Sequence, residues 1–85
     1  MGRTRTEIGF YGESQSLDTE GCLAISFTRV TGSNPCNIHG YDLGDGQTLS
    51  IQQNVGDEDW TSYDINFGTG STENQLQVIK IMPSK

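Results

Sequence analysis

The feature that most constrains the fold is the shortage of helix-forming residues. The chain has one alanine, Ala24, against seven isoleucines, nine threonines and eleven glycines in 85 residues. β-Branched side chains favour pleated strands and glycine weakens helices, so few segments could sustain a helix. A chain of this length holds one core at most. The sequence therefore predicts an all-β fold, a small six-stranded antiparallel sandwich or barrel.

Alternation of apolar and polar residues locates the strands, because successive side chains of a strand point to opposite faces. The six predicted strands cover residues 7–11, 21–31, 36–39, 47–52, 60–67 and 75–82. Their inward positions predict a core of Leu23, Ile25, Phe27, Leu49, Ile51, Tyr63, Ile65 and Phe67. Residues 12–21 form a long connection with Leu17 tucked beneath it, 32–35 form a turn, and 40–46 form a tight corner.

The two ends of the chain differ from this pattern. Arg3 and Arg5 alternate with threonines and no core-forming residue follows Met1, so we expect a flexible arm over residues 1–6 and one β domain over residues 7–85. The last strand has apolar residues on both faces, which predicts a neighbouring subunit against one of them. The predicted interface residues are Arg3, Arg5, Trp60, Ile79 and Ile81.

The charge disfavours nucleic acid as a partner. Acidic residues outnumber basic ones 11 to 5, which gives a net charge of −6. An acidic mimic of DNA stays open as an alternative, although the carboxylates are scattered. No apolar run approaches the ~20 residues of a membrane span, and no signal peptide is recognisable, so we expect a soluble chain with no membrane partner.

The two cysteines, Cys22 and Cys36, do not match the paired spacing of zinc sites. The turn at 32–35 predicts that they lie at opposite ends of a hairpin, too far apart for a cross-strand bridge. Two buried thiols and an inter-sheet disulfide are the remaining alternatives.

No motif indicates catalysis or a cofactor. The densest carboxylates, which could offer oxygen ligands to calcium, fit no EF-hand spacing, and we interpret them as solvated turn charges with calcium left open. They are Asp42, Asp45, Asp57, Glu58 and Asp59. His39 is the only histidine and no nucleophile or orienting acid accompanies it in a recognisable pattern. No phosphate-binding glycine motif is present. We therefore expect no enzyme activity and no cofactor.

The aromatic residues provide the alternative function. Trp60 follows three acids at the start of a strand, and a partly exposed indole beside Asp and Asn side chains is typical of carbohydrate contacts. It is equally typical of a protein interface. Tyr63 and Tyr41 have a simpler interpretation as core and corner residues.

The order of segments over residues 26–80 resembles that of small virion proteins of tailed bacteriophages. The matching segments are SFTRVTGSNPCNIHG, GDGQTLSI, GDEDWTSYDINFG and NQLQVIKI. The resemblance implies a β-sandwich with a structural role at a capsid or tail surface, located in the virion after synthesis in the host cytoplasm, and no catalytic residues. We therefore expect a non-enzymatic structural or decoration subunit whose partners are copies of itself and other assembly proteins. The alternative is a small carbohydrate-binding or adhesion module with a glycan as its partner.

Overall fold

The computed structural model describes residues 3–54, 56–70 and 72–84, and every regular element in these ranges is a β-strand. In chain order the strands are β1 (Arg3–Tyr11), β2 (Gln15–Asp18), β3 (Ala24–Arg29), β4 (Cys36–Ile38), β5 (Tyr41–Leu43), β6 (Thr48–Gln52), β7 (Ser62–Phe67) and β8 (Leu76–Ser84). The described part of the chain contains no helix that is long and apolar enough to cross a membrane.

The strands form two antiparallel sheets of four strands each. Sheet 1 has the order β1-β8-β3-β6, and sheet 2 has the order β2-β7-β4-β5. The predicted all-β class is confirmed, but the predicted six strands are wrong and the sheets do not close into a barrel. The two additional strands, β2 and β5, lie in the segments predicted as a connection and a corner. Each contributes a single buried leucine, Leu17 or Leu43, which is too little for a visible alternation.

The core lies between the inner faces of the two sheets. Its buried members are Leu17, Cys22, Ile25, Phe27, Cys36, Ile38, Leu43, Ile65, Leu76, Val78 and Met82. Of the predicted core, Ile25, Phe27 and Ile65 are buried, and a half-buried group packs against them: Leu49, Ile51, Tyr63 and Phe67.

Leu23 is only half-buried because the chain bends before β3 begins. Its N–H donates to the Ile81 carbonyl of β8 at 2.7 Å, while its own carbonyl accepts from the Gln53 N–H, just after β6, at 3.1 Å. In a regular strand both groups of one residue would point to the same neighbouring strand. The bend also breaks the alternation, so that Cys22 and Ile25, three positions apart, are both buried. The predicted strand over 21–31 is therefore shorter in the structure.

The chain ends pair with each other over nine residues, from Arg3 opposite Ser84 to Tyr11 opposite Leu76. The structure thus places residues 3–6 in β1 rather than in the expected flexible arm; residues 1 and 2 lie outside the described residues. Threonine side chains suit a strand, and the ladder to β8 supplies partners for the backbone groups of Arg3 and Arg5.

The turn after β3 does not close a hairpin as expected, because β3 belongs to sheet 1 and β4 to sheet 2. Cys22 and Cys36 are both buried and unbonded, which agrees with the buried-thiol alternative. Burial raises the pKa of both thiols, so neither is favoured as a thiolate nucleophile.

Candidate functional site

The outer face of sheet 1 carries an apolar patch that an isolated sandwich would expose. On β1, Ile8 and Phe10 are 60% and 71% exposed. Ile8 lies opposite Ile79 of β8, and Ile81 lies opposite Ala24 of β3. We call these five residues, which cross three strands, the sheet 1 patch.

The outer face of sheet 2 is polar and provides a contrast within the same molecule. On β7 the outward positions are Ser62, Asp64 and Asn66, all exposed. The Asp64 carboxylate accepts from the Ser16 hydroxyl at 2.6 Å, and the Asn66 side-chain amide donates to Asn37 at 3.3 Å. The central strand of sheet 2 is therefore polar on its outer face, whereas the outer face of sheet 1 carries an apolar cluster among threonine, serine and glutamine side chains.

The sheet 1 patch contains both a projecting and a receding part. Phe10 projects from β1, whereas a depression of about 230 Å³ lies between β8, β3 and β6. Ile79 and Ile81 form its apolar side, and the small side chains Ala24 and Ser26 contribute to its lining. The patch can thus both offer an aromatic side chain and receive one.

The edge of sheet 1 beside the patch is formed by β1, and alternation of the ladder shows which backbone groups it presents. The Val30 N–H donates to the Gln75 carbonyl at 3.3 Å. Because the backbone groups of successive residues point to opposite sides of a strand, every second residue of β8 after Gln75 forms its backbone hydrogen bonds with β3. The even-numbered residues of β8 form their backbone hydrogen bonds with the odd-numbered residues of β1. The N–H and C=O groups of Thr4, Thr6, Ile8 and Phe10 consequently point to the open edge.

A second surface lies at one end of the sandwich, around Trp60. The indole is 68% exposed and lines an open pocket of about 620 Å³. Arg5 and Met82 reach this pocket from the inner side of the β1–β8 pair, and Glu20 and Glu58 reach it from two loops. We call this space the Trp60 pocket.

Trp60 is held firmly although it is exposed. A Cβ on Gly21 would lie 2.7 Å from Trp60 Cζ2, so the indole packs directly against the glycine, which has a left-handed φ of 80°. On either side of Trp60, the carbonyls of Asp59 and Thr61 lie 2.6 and 2.8 Å from the Thr19 hydroxyl, whose single proton they share. The Thr61 carbonyl also accepts from the Thr19 N–H at 3.3 Å. The Gly21 N–H adds a 3.0 Å bond to the Asp59 carbonyl.

Asp59 is buried beneath this segment, which corrects its interpretation as a solvated charge. Its Oδ1 accepts from the Thr61 N–H at 2.8 Å, and its Oδ2 accepts from the Tyr63 hydroxyl at 2.8 Å and from the Gln53 amide at 3.2 Å. Burial alone would raise the pKa of this carboxyl, but the hydrogen bonds outweigh it and hold the pKa below the ordinary 3.8. Asp59 is a structural anchor for the loop.

Charges beside the Trp60 pocket are connected through a buried lysine. Lys80, 7% exposed, places its Nζ 3.2 Å from Glu20 and 3.7 Å from Glu7. Arg5 bonds Glu7 at 3.2 Å. Glu20 has a left-handed backbone (φ 55°).

The remaining candidate groups have local roles. The Asp45 carboxylate accepts from the Gly32 N–H at 2.8 Å and lies 4.0 Å from Arg29. His39 is exposed with a left-handed φ of 52°, and its Nδ1 accepts from the Asp64 N–H at 3.4 Å. Within the described ranges, no three His, Cys, Asp or Glu side chains are grouped closely enough to hold a metal ion.

The predicted interface residues fall on two different surfaces. Ile79 and Ile81 belong to the sheet 1 patch, whereas Arg5 and Trp60 belong to the Trp60 pocket, and Arg3 is exposed on β1. Sequence reasoning missed Ile8 and Phe10. Their outward parity is visible in the sequence only once residues 3–11 are recognised as one strand.

No protein-family model matches the sequence, and neither the curated proteins nor the solved structures with which it was compared give a match.

Proposed function

We propose that this protein is a non-enzymatic structural subunit that docks onto copies of itself, and that the larger assembly is a bacteriophage particle in which it decorates the capsid or tail. The observation that carries the proposal is the sheet 1 patch. Ile8 and Phe10 are mostly exposed on one face, while the matching face of sheet 2 is polar. A contiguous exposed apolar patch of this kind marks an interaction surface. The order of segments over residues 26–80 supports the phage assignment.

The partner we propose for the patch is a second copy of this chain. A twofold contact uses the same patch on both subunits, so that a projecting group of one must meet a receding group of the other. Phe10 and the depression beside Ala24 meet this requirement, because Phe10 of each copy can enter the depression of its neighbour. The patch therefore offers both halves of a twofold contact, a projecting ring and a depression.

The area of this face sets the strength of the contact. The whole outer face of sheet 1, of which the patch is a part, measures roughly 15 by 30 Å, from four strands about 4.8 Å apart and a β8 of nine residues. Two such faces bury about 900 Å² in total, which is below the 1,200 Å² or more of stable interfaces. A pair held by the patch alone buries less than this and is therefore weak. Further contacts, such as pairing along the open edge of β1, would make the assembly stable.

The test is a knob-and-hole experiment by analytical ultracentrifugation. Phe10→Ala removes the projecting group, and Ala24→Tyr fills the depression. Each variant alone should lose the concentration-dependent association of the wild type, whereas an equimolar mixture should recover part of it, because one of the two contacts is restored. Ser62→Tyr on the polar face of sheet 2 is the matched control and should associate like the wild type.

Two results would contradict the proposal. One is a wild type that stays monomeric up to about 1 mM. The other is a mixture that associates no better than its two components, which would show that Phe10 does not meet the depression. Thermal melts of every variant, followed by circular dichroism, separate lost association from lost folding.

A further inference from the structure

We propose that the Trp60 pocket is a carbohydrate-binding site that takes an uncharged oligosaccharide, with one pyranose ring stacked on the exposed face of the indole. The site is separate from the sheet 1 patch, and the proposal does not depend on self-assembly. It stands on three observations: the fixed and exposed indole, the space beside it, and the polar groups on its rim.

The fixed indole is the first observation. An exposed tryptophan that moves freely loses conformational entropy when a ligand stacks on it, and this loss weakens binding. Here one side of the ring rests on Gly21, and both neighbouring carbonyls accept from Thr19. The buried Asp59 carboxylate holds the Thr61 N–H and the Tyr63 hydroxyl beneath the loop. The stacking surface is therefore pre-organised before any ligand arrives.

The size of the pocket is the second observation. Its volume of about 620 Å³ lies in the range of pockets that hold small molecules, roughly 300–1,000 Å³. It is open to solvent, so a chain of sugars can pass through it rather than being enclosed. The apolar part of the lining, which includes Met82, suits the C–H face of a pyranose ring.

The rim is the third observation, and it favours a sugar over a protein partner. Arg5 offers donors, while the carboxylates of Glu20 and Glu58 offer acceptors. A protein partner that excluded water from these charged groups would remove their hydration, which costs free energy. Sugar hydroxyls donate and accept hydrogen bonds, so they can replace that water. Two carboxylates against one guanidinium on the rim disfavour anionic sugars.

The single tryptophan makes the test direct, because all indole fluorescence comes from Trp60. The probes are maltohexaose, cellohexaose, triacetylchitotriose and sialyllactose, followed by a printed glycan array. We expect at least one uncharged oligosaccharide to change the emission saturably and to perturb the amide signals of Gly21 and Glu58 in a ¹⁵N correlation spectrum. Sialyllactose should bind at least tenfold more weakly.

Variants separate stacking from a general surface effect. Trp60→Ala should abolish binding measured by calorimetry, and Trp60→Phe should keep part of it. Phe10→Ala is the matched control, because Phe10 is equally exposed but lies on the outer face of sheet 1, and its sugar affinity should equal that of the wild type. Thermal melts establish that each variant is folded.

Three results would overturn the proposal. The first is that no uncharged glycan of the array binds. The second is that binding survives Trp60→Ala in a folded protein. The third is that the Trp60 emission changes with protein concentration in the absence of sugar, which would identify the pocket as a contact between copies.

Discussion

Replacing Asp59 with asparagine should destabilise the protein at neutral pH and remove part of its acid sensitivity. The side chain is buried, and its two oxygens accept three hydrogen bonds, from Thr61, Tyr63 and Gln53. Asparagine keeps the shape but has one acceptor oxygen and no charge. If that oxygen stays with the Thr61 N–H, the Tyr63 hydroxyl loses its charged acceptor.

The magnitude follows from the value of a hydrogen bond to a charged group, about 1.5–3 kcal/mol. The Gln53 amide can rotate to present its oxygen to the new NH₂ group, so we count one such bond as lost and expect a loss of about 2 kcal/mol at pH 7. A domain of 85 residues has a free energy of unfolding of roughly 4–13 kcal/mol, so this loss is large enough to measure. With a urea slope of about 1–2 kcal/mol/M, the unfolding midpoint should fall by about 1–2 M.

The pH dependence has a definite sign. The pKa of Asp59 is lower in the folded protein than its ordinary value of 3.8, so its ionised form stabilises the fold at pH values above the unfolded pKa. This contribution is lost as the pH falls from about 4 through the lower folded pKa. The asparagine side chain of the variant does not titrate, so the stability difference between wild type and Asp59→Asn should shrink below pH 4.

Urea unfolding of both proteins at pH 7, 5, 4, 3 and 2.5 measures this difference, and the titration of the other carboxylates largely cancels. Tyr63→Phe removes one of the hydrogen bonds that lower the folded pKa of Asp59, so the stability lost in acid should be smaller than in the wild type and should be complete at a higher pH. Asp57→Asn, an exposed position in the same loop, is the control and should change the stability by less than about 0.5 kcal/mol. A difference that is absent at pH 7, or unchanged at pH 2.5, would refute the reasoning.

Three further predictions concern the core and the loop under Trp60. Phe27→Ala should cost about 3–5 kcal/mol, because Phe27 is fully buried and packs edge-on against Tyr63 at 5.7 Å between ring centroids; a melting temperature within two degrees of the wild type would contradict its place in the core. Gly21→Ala should cost about 1–2 kcal/mol in backbone strain and also shift the Trp60 emission, and an unchanged spectrum would show that the indole does not rest on this glycine. Since burial raises the pKa of the Cys22 and Cys36 thiols, Ellman's reagent should react with them only after urea unfolding, and rapid reaction with the folded protein would contradict their burial.

The parts of the fold that could be predicted are those set by local alternation. Strand β7 shows this best, because Tyr63, Ile65 and Phe67 alternate with polar residues and all three face the core. The two-sided β8 is also visible in the sequence, since Leu76 and Val78 are buried while Ile79 lies on the outer face.

The parts that could not be predicted depend on contacts between distant segments. The nine residue pairs between β1 and β8 join segments that are far apart in the sequence. The sequence of residues 3–6 does not indicate that β8 is their partner. The Trp60 pocket likewise combines Arg5, Glu20 and Met82 with the loop around Trp60. The predicted partial exposure of Trp60 is confirmed, but its neighbours could be known only from the assembled sheets.

The sheet 1 patch and the Trp60 pocket lie on opposite faces of the β1–β8 pair, so both can be occupied at the same time. On β8, Ile79 and Ile81 point away from the core into the sheet 1 patch, whereas Met82 has the opposite parity and lines the Trp60 pocket. A neighbour that covers the patch therefore leaves the pocket open. An open sugar site of this kind binds weakly by itself, but an assembly that repeats it many times binds a glycan-coated surface with much higher avidity, because each bound copy raises the effective concentration of the next. On both proposals, sugar binding by the monomer should be weak, and binding to a surface carrying many copies of the same sugar should increase with the oligomeric state of the protein.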